Sequence, residues 1–406
     1  MITLLKEKHI LLGVSGSIAA YKAADLASKL TQAGALVDVI LTPAAEKFVT
    51  PLTFQSVTGR NVFTESDLWG GQAHILHVGL GHTSDLFVVA PCTANTLAKM
   101  AHGLADNLLT ITALAASCPI LVAPAMDVGM YSHPATQDNV RLLISRHVLF
   151  AGPDEGRMAS GLTGKGRMLE PADLLGHIRL VLGKNGRLAG KRIIVTAGGT
   201  QEPIDPVRFI SNRSSGKQGY ALAQAALDAG AQVTLISTPT GIVPPDGADY
   251  IPVNTAQEML AAVLSSTQNC HALLMAAAVA DFRPRQTSSQ KLKKRDGIPS
   301  IELEATEDIL GVLSAPGFNQ PKPKVIVGFA AESRNLLENA AEKLRTKKLD
   351  LIAANDISAP DAGFGVDTNR ITLLHPDGSS EVLSLLSKVE VSETILDRVA
   401  DLLEKN

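Results

Sequence analysis

Short apolar runs alternate along the chain with longer segments in which apolar residues recur at helical spacing. In the first half, the runs lie at residues 9–16, 35–45, 85–93 and 119–126. Continuous apolar runs are typical of strands that are buried on both faces, as in parallel sheets covered by helices. Because strand–helix–strand units cross over right-handedly, the pattern predicts a doubly wound α/β fold.

A glycine-rich, basic segment at residues 181–192 interrupts this alternation and reads as a linker. The pattern then restarts without repeating the first half, with apolar runs at residues 192–200, 231–238, 272–281, 324–332 and 350–356. A hairpin around Pro376 to Gly378 and a final helix over residues 392–406 are predicted at the end. We therefore expect two doubly wound, Rossmann-like α/β domains, at residues 1–190 and 191–406.

Composition and charge exclude several classes of function. The net charge is −3 and aromatic residues make up only 4% of the chain, so neither a basic nor a base-stacking nucleic-acid surface is expected. The apolar stretch at residues 111–126 is broken by Pro119, which favours a buried helix and strand over a membrane span. The N-terminal run lacks a small-residue cleavage site, so we interpret it as a first strand rather than a signal peptide.

The three cysteines, Cys92, Cys118 and Cys270, are far apart and form no CxxC pair. This spacing is not that of a disulfide framework. We expect a cytoplasmic protein that binds small molecules and no nucleic acid or membrane.

Glycine-bearing or polar sequences follow three strands of the first half. They are GVSGSIAAYK (13–22), APCTANT (90–96) and PAMDVGMY (124–131). The carboxyl ends of strands in an open α/β sheet face one crevice, where ligands bind. The first motif alone also fits a plain tight turn. It is not GxGxxG, and no acidic residue follows in the required context, which argues against a dinucleotide-dependent dehydrogenase.

Strand ends of the second half carry a second set of motifs. They are TAGGTQEPIDPVR (196–208), SNRSSGK (211–217), AAAVADFRP (276–284), the lysine-bearing SSQKLKK (288–294) and GFAAES (328–333). Taken singly, SNRSSGK also fits an ordinary capped helix, and each lysine a solvated face. SNRSSGK is not a Walker A loop. Together the motifs predict a polyphosphate site, because a triphosphate needs several cations around it.

These blocks, with His77-Val-Gly-Leu-Gly and GRMLEP (166–171), make the whole chain resemble the bacterial bifunctional phosphopantothenoylcysteine decarboxylase/phosphopantothenate–cysteine ligases. For the first half, the resemblance implies a flavodoxin-like domain that binds FMN. It implies His77 as the base that assists oxidation of the cysteinyl thiol before decarboxylation. The implied FMN-binding residues are Gly16, Ser17, Thr42, Thr93, Ala94, Asn95 and Thr96. A histidine pair at His74 and His77 lacks the third ligand of a metal site.

Two positions in the first half depart from the family pattern. Asp127 stands where the family has an asparagine that holds the substrate carboxylate, so an ionised Asp127 must be protonated or turned away. Ser160 stands where the family has a proton-donating cysteine, and a hydroxyl is a far weaker acid than a thiol. Cys92 is an alternative donor, or simply a small buried apolar residue. Hence a second hypothesis remains open: an active ligase whose flavodomain is impaired or altered in decarboxylation.

For the second half, the resemblance implies ligation of cysteine to 4′-phosphopantothenate through an acyl-cytidylate made from CTP. Asn212 would steady the acyl-cytidylate and Lys291 would close over it, with Mg²⁺ offsetting phosphate charge; the metal ligands stay open. Glu307 departs from the usual proline of its turn. The resemblance also implies homo-oligomers built from flavodomain trimers and ligase-domain dimers. The implied CTP-binding residues are Met275, Ala276, Ala277, Asp281, Lys291, Thr306, Glu307, Asp308, Ile309, Phe329, Lys343 and Lys347.

Overall fold

The structure is a computed structural model that describes residues 3–69, 73–293, 299–332, 335–356 and 366–405. The chain divides into two compact units, Met1–Leu182 and Gly183–Asn406. We call them unit 1 and unit 2 and describe each by itself.

Unit 1 alternates strands and helices over most of its length. Its strands are β1 (His9–Val14), β2 (Leu36–Leu41), β3 (Val62–Phe63), β4 (Leu86–Cys92), β5 (Ile120–Pro124), β6 (Leu149–Phe150), β7 (Asp154–Arg157) and β8 (Thr163–Arg167). Its α-helices are α1 (Ala20–Gln32), α2 (Pro51–Thr58), α3 (Ala73–Thr83), α4 (Ala94–His102), α5 (Leu108–Ala115), α6 (Val128–Ser132), α7 (Pro134–Ser145) and α8 (Pro171–Gly183). Short 3-10 helices lie at Thr3–Leu5, Ala45–Lys47 and Glu65–Trp69.

The main sheet of unit 1 is parallel and has six strands in the order β3-β2-β1-β4-β5-β6. This is the doubly wound order, and without the short edge strand β3 it becomes the flavodoxin-like order. The predicted α/β class is therefore confirmed. Since β2 and β4 flank β1, the order reverses there and opens a crevice at the carboxyl ends of β1 and β4.

Both faces of this sheet are buried, as its continuous apolar runs require. Side chains of alternate β1 residues enter different cores: Ile10 and Leu12 belong to one cluster, and Leu11 to the other. The two clusters are centred on the fully buried Phe54 and Phe87 respectively. The stretch at residues 111–126 gives the end of helix α5 and the buried strand β5, as predicted.

Unit 2 begins with the end of α8. Its strands are β9 (Arg192–Ala197), β10 (Gln201–Pro203), β11 (Phe209–Ser211), β12 (Gln232–Ser237), β13 (Asp249–Pro252), β14 (Ala272–Met275), β15 (Phe282–Pro284), β16 (Leu303–Ala305), β17 (Val325–Glu332), β18 (Leu351–Asp356), β19 (Thr368–Asn369), β20 (Ile371–Leu374), β21 (Ser380–Val382) and β22 (Leu386–Ser387). Its helices are α9 (Lys217–Asp228), α10 (Ala256–Ser266), α11 (Ile309–Ser314), α12 (Leu336–Thr346) and α13 (Lys388–Lys405).

The main sheet of unit 2 has eight strands in the order β13-β12-β9-β14-β17-β18-β20-β21. The six strands from β13 to β18 are parallel, and β20 and β21 form the predicted antiparallel hairpin at one edge. The order again reverses beside the first strand, so the carboxyl ends of β9 and β14 border the crevice.

Two predictions about unit 2 need correction. The segment at residues 181–192 is not a loose linker: α8 continues to Gly183, and Leu188 is buried with its N–H bonded to the Ala229 carbonyl at 2.8 Å. The final helix begins at Lys388 rather than at residue 392. Both errors arise because local composition does not reveal apolar contacts made with distant segments.

None of the helices in the described part of the chain combines the length and the apolar character needed to cross a bilayer.

Candidate functional site

The carboxyl ends of β1 and β4 are joined directly through Ser15. Its hydroxyl donates to the Pro91 carbonyl at 2.7 Å and accepts the Thr93 N–H at 3.0 Å. Because Ser15 is buried, these bonds are shielded from water and fix the two strand ends relative to each other.

A cavity of about 690 Å³ opens at this crevice. Its volume falls within the range of small-molecule and cofactor sites. All the residues that the sequence assigned to FMN line it, namely Gly16, Ser17, Thr42, Thr93, Ala94, Asn95 and Thr96. The structure therefore brings together three loops that lie up to about 80 residues apart in the sequence.

Two features give the cavity its shape. Gly16 packs so closely on Ala44 that a Cβ at Gly16 would lie 2.4 Å from the Ala44 Cβ. Thr93 caps α4, and its hydroxyl accepts the Thr96 N–H at 3.3 Å. The first turn of α4 thus faces the cavity with backbone N–H groups, which suit an anionic group.

The sequence analysis missed one side of this cavity. Glu65, Lys99, Asp106 and Asn107 also line it. Lys99 is paired with Asp106, with Nζ–O distances of 2.9 and 2.7 Å, and the Glu65 carboxylate accepts the Leu108 N–H at 3.1 Å. None of these residues follows a long apolar strand, so the strand-end criterion could not find them.

His77 lies on α3 and is half-buried, but it is not among the residues lining this cavity. Its Nδ1 atom is buried and has no hydrogen-bond partner among the described residues. A buried, unpaired ring nitrogen is costly unless something else bonds to it. The histidine predicted as a base is thus separate from the other predicted flavin residues.

Asp127 and Ser160 come together at a second cavity of about 390 Å³, which shares Ser17, Ala125 and Met126 with the first. Ser160 lies in the turn between β7 and β8, and its hydroxyl donates to Asp127 Oδ2 at 2.5 Å. Asp127 Oδ1 accepts the Gly129 N–H at 3.0 Å at the start of α6.

These two donors, Ser160 first and then Gly129, lower the pKa of the Asp127 carboxyl. Asp127 is therefore ionised near neutral pH, and both of its oxygens accept hydrogen bonds from the protein. The structure thus favours an ionised Asp127 over a protonated one, and the residue lines the second cavity.

Cys92 does not fit the role of substitute proton donor. Its side chain is fully buried at the end of β4, and burial raises the pKa of the thiol to about 12. Cys92 does not line either of these two cavities. The alternative interpretation, a small buried apolar residue, agrees with this environment.

The crevice of unit 2 holds a cavity of about 600 Å³. Ten of the twelve residues assigned to CTP line it: Met275, Ala276, Ala277, Asp281, Thr306, Glu307, Asp308, Ile309, Phe329 and Lys343. Asn212, Ser214 and Ser215 line it as well. Lys291 and Lys347 do not.

Hydrogen bonds with threonine hydroxyls fix the backbone of the segment that follows β14. Thr196 accepts the Ala277 N–H at 3.1 Å, and Thr200 accepts the Ala280 N–H at 2.9 Å. Thr306 then donates to the Ala280 carbonyl at 2.5 Å. Since Thr196 and Thr200 are fully buried, the floor of the cavity is rigidly attached to the sheet.

Asn212 reaches this floor from the opposite side. Its amide nitrogen donates to the carbonyls of Val279, at 3.0 Å, and Ala278, at 3.4 Å. Two bonds to one amide group fix its plane, so the Asn212 side chain has a defined orientation above the end of β14.

The predicted lysines occupy three different places. Lys343 donates to the Phe329 carbonyl at 2.8 Å and lines the cavity. Lys347 lies just outside and is paired with Asp308, which caps α11. Although burial opposes ionisation of Asp308, Lys347 and the Gly311 N–H lower the pKa of this carboxyl. Lys291 is exposed, on a loop beside β10 and β11.

Four polar residues that line the cavity were not expected from the sequence. They are Gln218, Asn355, Asn369 and Lys388. The Asn369 amide donates to the Gln218 side chain at 2.8 Å. Burial, and secondarily the charge of Lys217, lowers the pKa of Lys388. These residues are scattered over three late elements and α9, so no local motif identifies them.

Among the described residues, no group of three or more His, Cys, Asp or Glu side chains is placed to hold a metal ion.

Two family profiles match the chain in succession. The profile described as Flavoprotein matches residues 3–183, and the one described as DNA/pantothenate metabolism flavoprotein C-terminal domain matches residues 188–403. Each covers nearly the whole of one structural unit.

Relatives match over almost the full length. The coenzyme A biosynthesis bifunctional protein CoaBC of Bacillus subtilis is 45% identical over 402 residues, which are 98% of each chain. The protein of the same name from Vibrio vulnificus is 44% identical over 401 residues, 98% of this chain and 99% of the relative. The one from Mycobacterium bovis is 44% identical over 408 residues, 98% and 97% of the two chains.

A solved structure matches as well. The C-terminal domain of a coenzyme A biosynthesis bifunctional protein CoaBC is 41% identical, with a TM-score of 0.47, over 54% of this chain and 100% of that one. The match to the Bacillus subtilis relative alone, at 45% identity over 98% of both chains, shows the family. The chain therefore belongs to the family of bifunctional coenzyme A biosynthesis proteins, which combine a flavoprotein decarboxylase with a ligase.

Proposed function

We propose that unit 2 joins cysteine to 4′-phosphopantothenate at the expense of CTP, and that unit 1 decarboxylates the product with the help of FMN. The observation that carries the first assignment is the cavity at β9 and β14, where Asn212 and ten of the residues expected to bind CTP meet. The second assignment is supported by the Flavoprotein profile and the first cavity.

In the ligation, the carboxylate of 4′-phosphopantothenate attacks the α-phosphorus of CTP, and pyrophosphate leaves. The amine of cysteine then attacks the acyl carbon, an amide forms, and CMP leaves with the shared oxygen. Asn212 is fixed above the β14 end, where its amide can hold the acyl-cytidylate. Because the amide nitrogen donates to the Val279 and Ala278 carbonyls, the Asn212 side chain offers its oxygen, which can accept an N–H of the attacking cysteine amine.

Cations around the cavity match the charge of the nucleotide. Lys343 lines the cavity at Phe329, while Lys217 and Lys388 line it near α9. The N-terminus of α9 adds backbone N–H groups behind Ser214 and Ser215. We place the base and ribose near Phe329 and Asp281 and the phosphates near α9, with Lys291 approaching from its loop.

For Mg²⁺, the donor set fits an ion held mainly by phosphate oxygens. Mg²⁺ in nucleotide sites usually takes one or two carboxylates, the substrate phosphates and water. The described residues offer no cage of three ligands, whereas Asp281 lines the cavity. Asp281 and the phosphate oxygens of the nucleotide would hold the ion, which would supply charge neutralisation.

The first cavity fits FMN by three observations. Gly16 lets the loop after β1 lie against Ala44, the first turn of α4 presents N–H groups, and the cavity is large enough. FMN held there would supply a two-electron oxidant for the cysteinyl group and the reductant for the decarboxylated product. The protein orients the substrate and moves protons.

Ser160 and Asp127 lie in the second cavity, which adjoins the first cavity at Ser17, Ala125 and Met126. The carboxylate of Asp127 accepts hydrogen bonds on both of its oxygens, from the Ser160 hydroxyl and from the Gly129 N–H. Arg157 and Arg167 line the same cavity and supply the positive charge that a carboxylate needs. This arrangement is compatible with an active decarboxylase.

We infer in addition that the chain assembles into homo-oligomers. Large apolar side chains are exposed in unit 1, at Ile18, Tyr21 and Leu52, and in unit 2, at Phe209 and Phe282. These side chains are the contacts that we propose between copies of the chain. Because His77 lies outside the cavity of its own unit, a second copy is expected to bring its α3 to the flavin. Mass photometry of the purified protein tests this, and a monomer at micromolar concentration would refute it.

One anaerobic experiment tests both reactions. The purified protein is incubated with 4′-phosphopantothenate, cysteine, CTP and Mg²⁺, and the products are identified by mass spectrometry. We expect phosphopantothenoylcysteine, CMP and pyrophosphate first, then CO₂ and 4′-phosphopantetheine. Accumulation of phosphopantothenoylcysteine without CO₂ would refute the decarboxylase assignment, and absence of CMP would refute the ligase assignment.

A further inference from the structure

A buried carboxylate lies between β10 and β11, outside the nucleotide cavity. Asp205 is 3% exposed, and its side chain is fully buried. Its Oδ1 atom accepts the N–H groups of Val207, at 2.8 Å, and Arg208, at 2.9 Å. Its Oδ2 atom accepts the Leu292 N–H at 3.2 Å and faces the Arg208 guanidinium at 3.3 Å.

The Leu292 bond is one of several that attach a distant loop to this hairpin. The Arg208 guanidinium donates to the Leu292 carbonyl at 3.2 Å. The Ser288 N–H donates to the Ile204 carbonyl at 3.0 Å, and the Thr287 hydroxyl to the Pro203 carbonyl at 3.2 Å. Residues 287–292 therefore run along the hairpin, and Asp205 is the buried end of the attachment.

The environment of the Asp205 carboxyl favours its ionised form. Burial opposes ionisation, but the N–H groups of Val207, Leu292 and Arg208, together with the Arg208 charge, outweigh it and lower the pKa of the carboxyl. Hydrogen bonds to a charged acceptor are stronger than those to a neutral one. An amide in the same place would also turn an N–H group towards some of these donors.

The hairpin is itself attached to the body of unit 2. The Gln201 N–H donates to the Asn254 carbonyl at 2.8 Å, and the buried Glu202 carboxylate accepts the Ala256 N–H at 2.8 Å at the start of α10. Strand β11 ends at Ser211, one residue before Asn212. The hairpin thus connects the two residues expected to act in the ligation, Asn212 directly and Lys291 through the Leu292 bond.

We infer that Asp205 is a positioning residue for the ligation: it binds the loop that carries Lys291 to the hairpin that delivers Asn212. The effect of Asp205 on ligation rests on the proposed function of unit 2, whereas the attachment of the loop does not. Asp205 does not line the nucleotide cavity and its side chain is fully buried, so we assign it no direct contact with CTP. It acts by holding Lys291 at a fixed distance from the acyl-cytidylate.

The test combines Asp205→Asn with a protease readout. Trypsin can cut the Lys291–Leu292 bond, and the rate of cleavage at this bond, identified by mass spectrometry apart from cleavage after Lys293, Lys294 and Arg295, reports how firmly the loop is held, independently of any reaction. We expect cleavage in Asp205→Asn to be about tenfold faster, because a charge-assisted attachment is lost. The turnover number of ligation should fall about 10- to 100-fold through misplacement of Lys291, with a smaller change in KM for CTP.

A matched control is Asp350→Asn. Asp350 is also partly buried and accepts a backbone N–H, that of Ile326 at 2.7 Å, but it lies at the amino ends of β17 and β18, away from the cavity. Thr287→Val removes one exposed bond of the same attachment without disturbing the buried carboxylate. It should give a smaller effect in the same direction, and it keeps the test valid if Asp205→Asn does not fold.

A double-mutant cycle with Lys291→Ala decides whether Asp205 acts through Lys291. Residues that act together give non-additive effects, so Asp205→Asn should change turnover little in the Lys291→Ala background. Additive losses, or unchanged cleavage and turnover in both Asp205→Asn and Thr287→Val, would overturn the inference. Failure of the wild-type protein to form CMP would instead refute the proposed ligase function, while the cleavage result would still report on the attachment.

Discussion

The close approach of Gly16 to Ala44 gives a quantitative prediction for flavin binding. An alanine Cβ at position 16 would lie 2.4 Å from the Ala44 Cβ, about 1 Å short of the 3.4 Å at which ordinary contacts begin. It would also lie 2.9 Å from the Ala44 backbone carbon, which cannot rotate away. The loop after β1 must therefore move, and with it one wall of the first cavity.

Overpacking of this kind typically costs about 1–3 kcal/mol. If the loop moves to relieve the contact, the loss appears in flavin affinity, and each 1.4 kcal/mol corresponds to about a tenfold change in Kd. We therefore expect Gly16→Ala to bind FMN about 5- to 150-fold more weakly than the wild type, by this conversion.

In the assay, flavin-free protein is titrated with FMN, and binding is monitored through the quenching of flavin fluorescence. Thermal unfolding is measured in parallel. Gly241→Ala is the control, since Gly241 belongs to unit 2 and a Cβ there meets nothing within 4 Å. If Gly16→Ala binds FMN within twofold of the wild type while folding normally, the assignment of this loop as a wall of the flavin site is wrong.

Four further outcomes are expected. Asn212→Asp should release pyrophosphate but stall before amide formation, which radiolabelled CTP will show; normal turnover would contradict the role of this amide. Ser160→Cys should speed the final protonation in single-turnover decarboxylation, and no gain would remove the serine as a limitation. Iodoacetamide at pH 8 should label Cys92 only after unfolding, because burial raises the pKa of its thiol to about 12. Asp308→Ala should destabilise unit 2 by about 1 kcal/mol through loss of its cap. The pKa of Asp308 is lowered in the folded state, so the stabilisation from its charge is complete above the ordinary pKa of 3.8 and is lost as the pH falls below it. The difference in urea midpoint between the wild type and Asp308→Ala should therefore shrink at pH 3.

The two units use one architectural solution for two kinds of chemistry. In each, the first strand lies beside the point where the strand order reverses, and the ligand cavity lies at the carboxyl ends of the strands there. Unit 1 connects those ends through the Ser15 hydroxyl, and unit 2 through Thr196 and Thr200. The difference in function lies in the loops, since the sheets are built alike.

The strand-end motifs were sufficient to find most of both cavities. Buried parallel strands must be apolar throughout, so the polar or small residues that interrupt them, such as Ser15 or Gly199, mark the ends where ligands bind. The same criterion missed Lys99 and Lys388, which lie on a helix and at a helix start. Charged residues there look like any solvated surface until the fold places them at a cavity.

The sequence by itself determined the α/β class and predicted most of the residues that line the two cavities, because the alternation of apolar runs and helical spacing reflects burial directly. Only the tertiary structure decided that Asp127 accepts a hydrogen bond from Ser160, that His77 lies outside the cavity of its own unit, and that Asp205 binds the Lys291 loop. Each of these facts depends on contacts between segments far apart in the chain, and the geometry of such contacts is set by packing rather than by local pattern.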